Sequence, residues 1–355
     1  MNLKAPLKDR AVFVTGADGF IGSHLVDKLV ESGARVHVFI RATSSGELHN
    51  IHHRQNGITI HRGDLADKHA LHQALSCLKS EDEPLVFHLG AQAHVGESWQ
   101  RPYETISANV LGTLNLLQSV VDLGLKLGKL VASGTSEEYG NVDPEIKDRY
   151  RFEGNGLILD ERSPLNPKSI YAVSKIATDF LTRDYYHAYG VPGVVTRMFN
   201  NYGPRQNPRY VTGTIITQAL AGDTVHLGYV KSKRDFCYCE DGVMGHLSVG
   251  LYGNPGEVYV YGQGKNCTIH EWYELIVSQG RKLGYWKGNK KLVTSPQRGR
   301  LGSTEVEELR VDYAKLNRLC GWQPAFSWEE GLGRTIKWYA ENKACWIGRV
   351  DWLQG

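Results

Sequence analysis

The sequence predicts an α/β fold: a doubly wound parallel sheet with helices on both faces, and a smaller C-terminal α/β lobe. Two observations lead to this prediction. In the first half, short apolar runs alternate with amphipathic stretches, as they do in βαβ units. A glycine-rich turn separates the first apolar run from the first amphipathic stretch, which is typical of the first turn of such sheets. A chain of 355 residues has room for one large and one smaller domain.

The apolar runs are the predicted strands. They cover residues 11–15, 35–40, 58–61, 85–89, 130–133 and 193–199, and a further strand near 257–261 is expected to return to the main sheet. The first helix carries apolar residues four positions apart, namely Ile21, Leu25 and Leu29, and Gly33 ends it. A later helix shows a similar apolar face, formed by Ile106, Val110, Leu114 and Leu117 before Gly124.

The pattern changes near Asn200, where turn-rich segments alternate with short helices at 213–221 and 270–280. We therefore expect a sheet domain over 8–199 with a return near 235–262. The second lobe is expected over 200–234 and 263–355. Residues 141–166 form a longer connection than is usual, and long loops in compact domains are often functional, so this loop is expected to lie over the active site.

Composition and charge exclude several classes of protein. Lys and Arg number 41 against 38 Asp and Glu, and the absence of a basic run argues against nucleic-acid binding. The N-terminal segment has no signal-peptide pattern, and no apolar run reaches the roughly 18 residues that cross a bilayer. We expect a cytoplasmic protein without membrane contact.

No metal site is expected from residue spacing. The six cysteines include no CxxC pair, so they are interpreted as reduced thiols: Cys77, Cys237, Cys239, Cys267, Cys320 and Cys345. The histidines His49, His52 and His53 have no acidic or thiol partner at ligand spacing, and a solvated face is the favoured interpretation.

The glycine turn GADGFIG is the predicted cofactor site. Glycines here let the backbone approach a pyrophosphate, whose charge meets the amide groups of the following helix. The spacing is GxxGxxG, not GxGxxG, and a purely structural turn is the alternative. The expected contacts are Gly16, Asp18, Gly19, Phe20, Ile21 and Gly22.

The end of the second strand bears on the choice of cofactor. No carboxylate stands there to bind a ribose hydroxyl, and Arg41 is placed to accept a 2′-phosphate, which favours NADP over NAD. The alternative is a solvated arginine. Asp64, after the third strand, either contacts the adenine or caps the next helix.

Tyr171 and Lys175 form the predicted catalytic pair. They stand at i and i+4 in SIYAVSK, so a helix places both on one face. A cation beside a phenol favours the phenolate, so we expect the pKa of Tyr171 to be lowered toward neutrality. Alone the spacing is weak, because an exposed Lys beside a packed Tyr is common.

Further polar side chains follow the strand at 130–133. Thr135, Ser136 and Glu137 would lie at the carboxyl edge of the sheet, where ligands of wound α/β folds bind. Thr135 could bind a hydroxyl undergoing oxidation, and Glu137 could act as acid and base on neighbouring carbons. For Ser136 and Glu138 a solvated loop is the alternative, and for Glu138 it is preferred.

Several motifs occur in one order: GADGFIG, HLGAQAHVGES, TSEEYG, YAVSK, NNYGPRQ, Arg234-Asp235-Phe236, STEVEELRVDYAKL and Gly321-Trp322-Gln323-Pro324. With them the chain resembles, almost end to end, the extended short-chain dehydrogenase/reductase family, especially its nucleotide-sugar 4,6-dehydratases. The resemblance implies a Rossmann-type sheet. The acid in Thr135-Ser136-Glu137 is similar to the one that dehydratases of the family carry at this position, whereas its epimerases usually lack an acid there.

The resemblance to the family also implies further cofactor contacts: Leu65, Leu89, Ala91, Ala93, Asn109, Ser133, Tyr171 and Lys175.

The resemblance also implies a mechanism. Tyr171 takes the C4 hydroxyl proton while hydride leaves C4 for the nicotinamide, with Lys175 in support and Thr135 on the C4 oxygen. Glu137 then removes the C5 proton and assists loss of the C6 hydroxyl as water, and hydride returns to C6. The product is a nucleotide-linked 4-keto-6-deoxy sugar. Ser136 is placed with these catalytic residues.

The expected substrate is GDP-mannose, ahead of UDP-N-acetylglucosamine and dTDP-glucose, because RYVTGTIITQAL, LGYVKSKRDF, the STEVEEL run and Arg41 are similar to GDP-mannose 4,6-dehydratases. TIITQ followed by RDF is also similar to certain UDP-N-acetylglucosamine 4,6-dehydratases. The expected substrate-binding residues are Asn200, Arg209, Arg234, Arg300 and Glu305. Of the arginines that could clamp a diphosphate, Arg234 and Arg300 fit best; for Arg205 and Arg209 a surface salt bridge is at least as good an interpretation.

Two rival functions remain open. A nucleotide-sugar 4-epimerase would use the same Tyr171 and Lys175 without Glu137. A non-enzymatic, cofactor-binding scaffold would need none of the catalytic set. By resemblance the chain is expected to form a homodimer, or a tetramer, through the helices around Ile106 and Tyr171.

Overall fold

The computed structural model describes residues 4–347. Its strands are β1 Ala11–Thr15, β2 Arg35–Arg41, β3 Ile58–Gly63, β4 Leu85–His88, β5 Lys129–Thr135, β6 Arg151–Glu153, β7 Gly156–Ile158, β8 Gly193–Met198, β9 Asn200–Tyr202, β10 Thr224–Leu227, β11 Lys233–Arg234, β12 Phe236–Tyr238, β13 Val258–Tyr261, β14 Cys267–Thr268 and β15 Lys291–Thr294. Its helices are α1 Lys4–Leu7, α2 Phe20–Glu31, α3 Lys68–Leu75, α4 Val95–Gln100, α5 Pro102–Ile106, α6 Gly112–Asp122, α7 Ile170–Tyr189, α8 Val211–Ala221, α9 Cys239–Tyr252, α10 Ile269–Lys282, α11 Ala314–Cys320 and α12 Trp328–Glu341.

The main sheet has seven parallel strands in the order β13-β8-β5-β4-β1-β2-β3. This confirms the doubly wound sheet, its six predicted strands and the return of a strand near 257–261. Both faces are covered, since all residues of β1 and β4 are buried. The chain order reverses between β1 and β4, so their carboxyl ends flank the crevice where such sheets bind ligands.

The helix after β4 differs in part from the prediction. A π-helical segment, Ser107–Leu111, joins α5 to α6. Of the predicted apolar face, Ile106 and Leu114 are 41% and 36% exposed, whereas Leu117 is fully buried in a hydrophobic cluster with Leu116 and Val120. Small polar groups also join α7 to the π-helical segment and the start of α6: the Asn109 amide donates to Ser174 Oγ at 2.8 Å, and Thr113 and Thr178 share a 3.2 Å hydrogen bond. These polar groups satisfy one another, so they can be buried between the helices beside the apolar residues.

The long connection at 141–166 is folded. It contains a 3₁₀ turn at Pro144–Arg149 and the β6–β7 hairpin, and Leu159 bridges to Val311. Tyr150 and Leu157 are buried in a hydrophobic cluster with Val306 and Val311. The segment therefore packs against residues 306–311, which share this cluster with Tyr139, shortly after the end of β5.

The C-terminal part combines α8, α10 and α12 with the small sheets β10–β15, β11–β14 and β9–β12. The helices predicted at 213–221 and 270–280 are present and somewhat longer. The last residues of the expected second lobe, 348–355, lie outside the described residues. In the described part of the chain, each helix is too short or too polar to cross a membrane.

Candidate active site

The glycine turn is built so that a backbone, and not a side chain, faces the crevice. Gly16 has φ +67°, and a Cβ on it would lie 2.6 Å from the nitrogen of Gly90. A Cβ on Gly22 would lie 2.1 Å from the Gly16 oxygen. Gly19 is the N-cap of α2, whose first turn, led by Phe20 and Ile21, contains no acidic residue. The turn and the helix dipole therefore fit a pyrophosphate.

Three polar residues predicted at the cofactor site make contacts of different kinds. The Asp18 carboxylate accepts hydrogen bonds from the amides of residues 49–51 at 2.7–3.1 Å, so it orders the chain after β2. The Arg41 side chain is 83% exposed, 3.8 Å from Asp64. Asp64 does not cap α3, because Asp67 does so; Asp64 accepts instead from the amide of Ala66 at 2.9 Å.

The segment after β4 lies beside the glycine turn. The amide of Leu89 donates to the Thr15 oxygen, and the Gly90 amide to Thr15 Oγ1 at 3.1 Å. A Cβ on Gly90 would lie 2.8 Å from the Leu65 side chain, so Leu65 borders the same space. Ala91 is half-buried.

Asn109, predicted to contact the cofactor, holds the segment after β4 in place through hydrogen bonds. It is fully buried, and its side chain binds the amide and the carbonyl of Gln92 at 2.7 and 3.0 Å. Together with Ser174, which accepts its remaining proton, it fixes residues 90–93 next to α7.

Tyr171 and Lys175 are both buried on α7, whose N-cap is Ser169. Lys175 Nζ donates to the Ser133 carbonyl at 2.7 Å, and burial lowers the pKa of Lys175 to about 8. The expected lowering of the Tyr171 pKa is not found. Burial raises the pKa of Tyr171 above its ordinary value, nearby Tyr210 adds to this, and a hydrogen bond with Thr135 opposes it. Burial outweighs any effect of the lysine on this phenol.

Thr135, Ser136 and Glu137 stand where β5 ends. Thr135 caps a one-turn 3₁₀ helix, Ser136–Glu138, and all three residues are buried. Both oxygens of Glu137 accept from Arg300, at 2.7 and 2.8 Å. Burial alone would raise the pKa of Glu137, but the charges of Arg300 and Arg234 outweigh it, so the pKa is lowered and the carboxylate is ionised.

Glu138 is not solvated, as was preferred from sequence; it is fully buried. Its Oε1 accepts from the Thr135 amide at 2.7 Å, and its Oε2 lies 3.1 Å from Arg197 Nε. Arg197 also pairs with Asp179 at 2.8 Å. Because one guanidinium is shared by two carboxylates, burial raises the pKa of Glu138 to about 7 despite Arg197. The solvated alternative fails for buried Ser136 as well.

Of the predicted substrate residues, Arg234, Arg300 and Glu305 meet at the Glu137 carboxylate. Arg234 Nη2 donates to Glu305 Oε1 at 3.0 Å, and Arg300 Nε lies 3.7 Å from the same oxygen. Asn200 begins β9, and its Oδ1 is buried without a hydrogen-bond partner among the described residues. Arg209 lies beside His94.

Arg205 is turned away from this cluster, because its guanidinium lies 2.7 Å from Asp27 on α2. His53 also pairs with Asp27, at 2.6 Å. The surface salt bridge considered for Arg205 is therefore what the structure contains.

Sequence reasoning missed two aromatic residues at the site. The Tyr210 hydroxyl donates to the carbonyl of Ala93 at 2.9 Å, and the ring lies 5.5 Å from that of His94. Tyr210 also acts on the pKa of Tyr171, which places the two phenols close together. The available signals were the position of His94 in HVGES and of Tyr210 beside Arg209.

Known proteins match this chain over nearly its full length. The family model described as GDP-mannose 4,6 dehydratase matches residues 13–335. A dTDP-glucose 4,6-dehydratase of Streptomyces antibioticus is 32% identical over 343 residues, covering 94% of each protein. The GDP-mannose 4,6-dehydratase sdnI of Sordaria araneosa is 30% identical over 98% of this chain, which spans 64% of the length of that relative.

Solved structures of two enzyme types share the fold. DesIV, a dTDP-glucose 4,6-dehydratase from Streptomyces venezuelae with NAD bound, has a TM-score of 0.80 at 30% identity, covering 95% of this chain and 99% of DesIV. A UDP-glucose 4-epimerase from Thermotoga maritima has a TM-score of 0.78 at 29% identity, covering 94% of this chain and 99% of the epimerase. Since both types have this architecture, individual side chains must distinguish them.

Proposed function

Because the chain belongs to the nucleotide-sugar 4,6-dehydratase family of extended short-chain dehydrogenases/reductases, we propose that it converts a nucleotide-linked hexose into its 4-keto-6-deoxy form. The observation that carries the proposal is the ionised Glu137 carboxylate, buried next to Thr135 and Tyr171 at the end of β5. A base at this place can take the proton from the carbon beside a new ketone, a step that 4-epimerisation does not need.

The first step is oxidation at C4. A bound nicotinamide dinucleotide supplies the hydride acceptor, and the glycine turn with Leu65, Leu89, Ala91 and Ala93 would hold it. Tyr171 takes the C4 hydroxyl proton, and Thr135, hydrogen-bonded to Tyr171, orients that oxygen. Because burial raises the pKa of Tyr171 in the structure as described, this step requires that Lys175, fixed by the Ser133 carbonyl, supply positive charge to the phenolate once substrate and cofactor are bound.

The second step is elimination across C5 and C6. The C4 ketone acidifies C5, and Glu137 removes that proton while hydroxide leaves C6 as water. Ser136, adjacent and buried, is proposed to relay a proton to the departing oxygen. A bound cofactor would supply hydride to C6 while a proton is returned to C5, so the sugar would lose one water in total.

The substrate is proposed to be held by Arg234, Arg209 and Asn200, with Glu305 orienting Arg234 and Arg300 dividing its contacts between Glu137 and the diphosphate. Guanidinium groups suit bidentate contact with phosphate oxygens. GDP-mannose is proposed first, in line with the matching family model and one relative. A second candidate is dTDP-glucose, favoured by the 32% identical dTDP-glucose 4,6-dehydratase that this chain matches over 94% of its length.

We propose NADP as the cofactor, although DesIV was solved with NAD. The support is Arg41 at the end of β2, which is 83% exposed with only a loose ion pair to Asp64 and so is accessible to a 2′-phosphate. We expect the unaltered protein to bind NADP more tightly than NAD, and we expect Arg41→Ala to lose this preference. Equal affinities would remove this part of the proposal.

We also propose a homodimer. Four apolar side chains on α5–α7 and the π-helical segment are 41–50% exposed: Ile106, Leu111, Val173 and Phe180. Clusters of this kind on adjacent helices are typical of protein interfaces.

The reaction in deuterated water tests the dehydratase against the 4-epimerase. Dehydration exchanges the C5 proton through Glu137, so the product is expected to carry one deuterium at C5. A 4-epimerase leaves C5 untouched. Glu137→Gln should abolish the exchange while still reducing the cofactor, and an unlabelled product from the unaltered protein would overturn the proposal.

A further inference from the structure

Three side chains with metal-binding atoms meet at the outer part of the main sheet, and none of them has a role in the proposed catalysis. They are His37 of β2, His61 of β3 and Cys77 in the 3₁₀ turn Ser76–Leu78 that follows α3. A ring nitrogen of each histidine and the cysteine sulfur all lie within 4.8 Å of one another. All three residues are half-buried.

The fold brings the three together across distant parts of the sequence. In the register of β2 and β3, Phe39 lies opposite His61, so His37 is one step diagonal to His61 on the same face. The hydrophobic cluster of Phe39, Leu71 and Leu75 shows that α3 covers this face. The turn after α3 then delivers Cys77 to the two imidazoles.

The spacing of the ligand atoms suits a tetrahedral ion. His37 Nδ1 lies 3.4 Å from His61 Nε2. With Zn–N bonds of about 2.0–2.1 Å, two nitrogens of a tetrahedral site are about 3.3–3.4 Å apart. Moving the sulfur closer requires only rotation of a short side chain at a turn.

The surrounding charges allow a cation. Burial lowers the pKa of both His37 and His61, so both rings are neutral at physiological pH and each offers a lone pair. Burial, then Glu81, raises the pKa of Cys77 to about 11. A bound cation would displace the Cys77 thiol proton. The negative charge of Glu81 favours a cation at this place. The positive charge of Arg35 opposes a cation, but Arg35 is already paired with Glu81.

We propose that His37, His61 and Cys77 bind one Zn²⁺ ion, with a water molecule completing the coordination. Two imidazoles and one thiolate are a ligand set that zinc accepts readily. The ion would join edge strand β3, strand β2 and the end of α3, and so would stabilise the folded chain in proportion to its occupancy.

The test uses the untagged, metal-free full-length protein, titrated with Zn²⁺ alone and with Co²⁺ alone. We expect one equivalent to bind and Co²⁺ to give a thiolate charge-transfer absorption. Cys77→Ser should abolish that absorption, and both Cys77→Ser and His61→Gln should weaken Zn²⁺ binding by at least about tenfold. Cys345→Ser, at an exposed thiol, is the matched control and should change neither result.

A measurement on the unaltered protein covers the case that a variant does not fold. Stoichiometric Zn²⁺ should protect Cys77 from alkylation, mapped by mass spectrometry, while Cys345 reacts as before. The proposal is overturned if Zn²⁺ leaves the alkylation of Cys77 unchanged, or if the cobalt absorption persists in folded Cys77→Ser.

Discussion

Arg300 donates hydrogen bonds from both of its terminal nitrogens to the Glu137 carboxylate, at 2.7 and 2.8 Å. These bonds connect the segment that precedes residues 305–312 to the end of β5. The pair keeps the Glu137 carboxylate ionised although it is buried. The proposed base therefore depends on a residue from a different part of the chain.

Replacing Arg300 by Gln should move the acid limb of the pH–rate profile. Without the Arg300 charge, the pKa of Glu137 rises relative to that in the unaltered protein, so the base becomes protonated at higher pH and activity is lost there first. The measurement is kcat/KM against pH for dehydration. Arg298→Gln, at an exposed neighbouring position, is the control. An unshifted acid limb in Arg300→Gln would contradict the assignment.

The charge of Lys175 should set the basic limb. Its pKa is lowered to about 8, so it loses its proton, and its support for the Tyr171 phenolate, as pH rises through that value. We expect the rate of oxidation at C4 to decline above pH 8. This rate is measured in a single turnover from the absorbance of the reduced cofactor. Lys175→Met should lower it by about 10²–10⁴-fold. Lys168→Met, near the N-terminus of α7, is the control, and an unchanged rate in Lys175→Met would refute the role.

Glu138 should make stability fall with rising pH. Its pKa in the folded chain, about 7, lies above the value of 4.5 for a free Glu, so its contribution to stability is complete below the unfolded value and lost as pH rises through about 7. Glu138→Gln mimics the protonated form. The difference between its denaturation midpoint and that of the unaltered protein should therefore become more positive from pH 5 to pH 8. Glu138→Ala should cost about 1–3 kcal/mol, because the Thr135 amide loses its acceptor.

The comparison for Glu138 is Glu145→Gln, an exposed acid in the long connection. Its midpoint should differ from that of the unaltered protein by the same small amount at both pH values. If the midpoint difference for Glu138→Gln is also the same at pH 5 and pH 8, the protonation state of the buried carboxyl does not change over this range and the prediction is wrong.

The exposed apolar face of α5–α7 should be a dimer interface. Phe180→Glu places a charge on it and is expected to yield monomers in sedimentation or light-scattering experiments, with the fold retained by circular dichroism. Tyr252→Glu, a similarly exposed aromatic on α9, should leave the assembly unchanged. A monomeric unaltered protein would contradict the proposed homodimer.

Local signals predicted much of this molecule. β1 begins and ends where predicted, because its apolar run is bounded by Arg10 and the glycine turn. Tyr171 and Lys175 are buried on one helix face, as their spacing requires. Such features depend on residues close in sequence.

The features that were not predicted depend on distant partners. Burial of Glu138 requires Arg197 on another strand, and the triad of His37, His61 and Cys77 forms only when two strands and a turn meet. The face around Ile106 is apolar in sequence, but sequence cannot distinguish a core from a contact with a second chain. Patterns of spacing carry no information on such tertiary pairings.

The most direct test of the proposed function is to incubate the purified protein with GDP-mannose, dTDP-glucose and UDP-N-acetylglucosamine separately, with NADP or NAD, and to measure each product mass. The account predicts that one donor loses one water, giving a 4-keto-6-deoxy product. If every mass stays unchanged while the configuration of one sugar inverts at C4 by NMR, the protein is an epimerase and the role given to Glu137 is wrong.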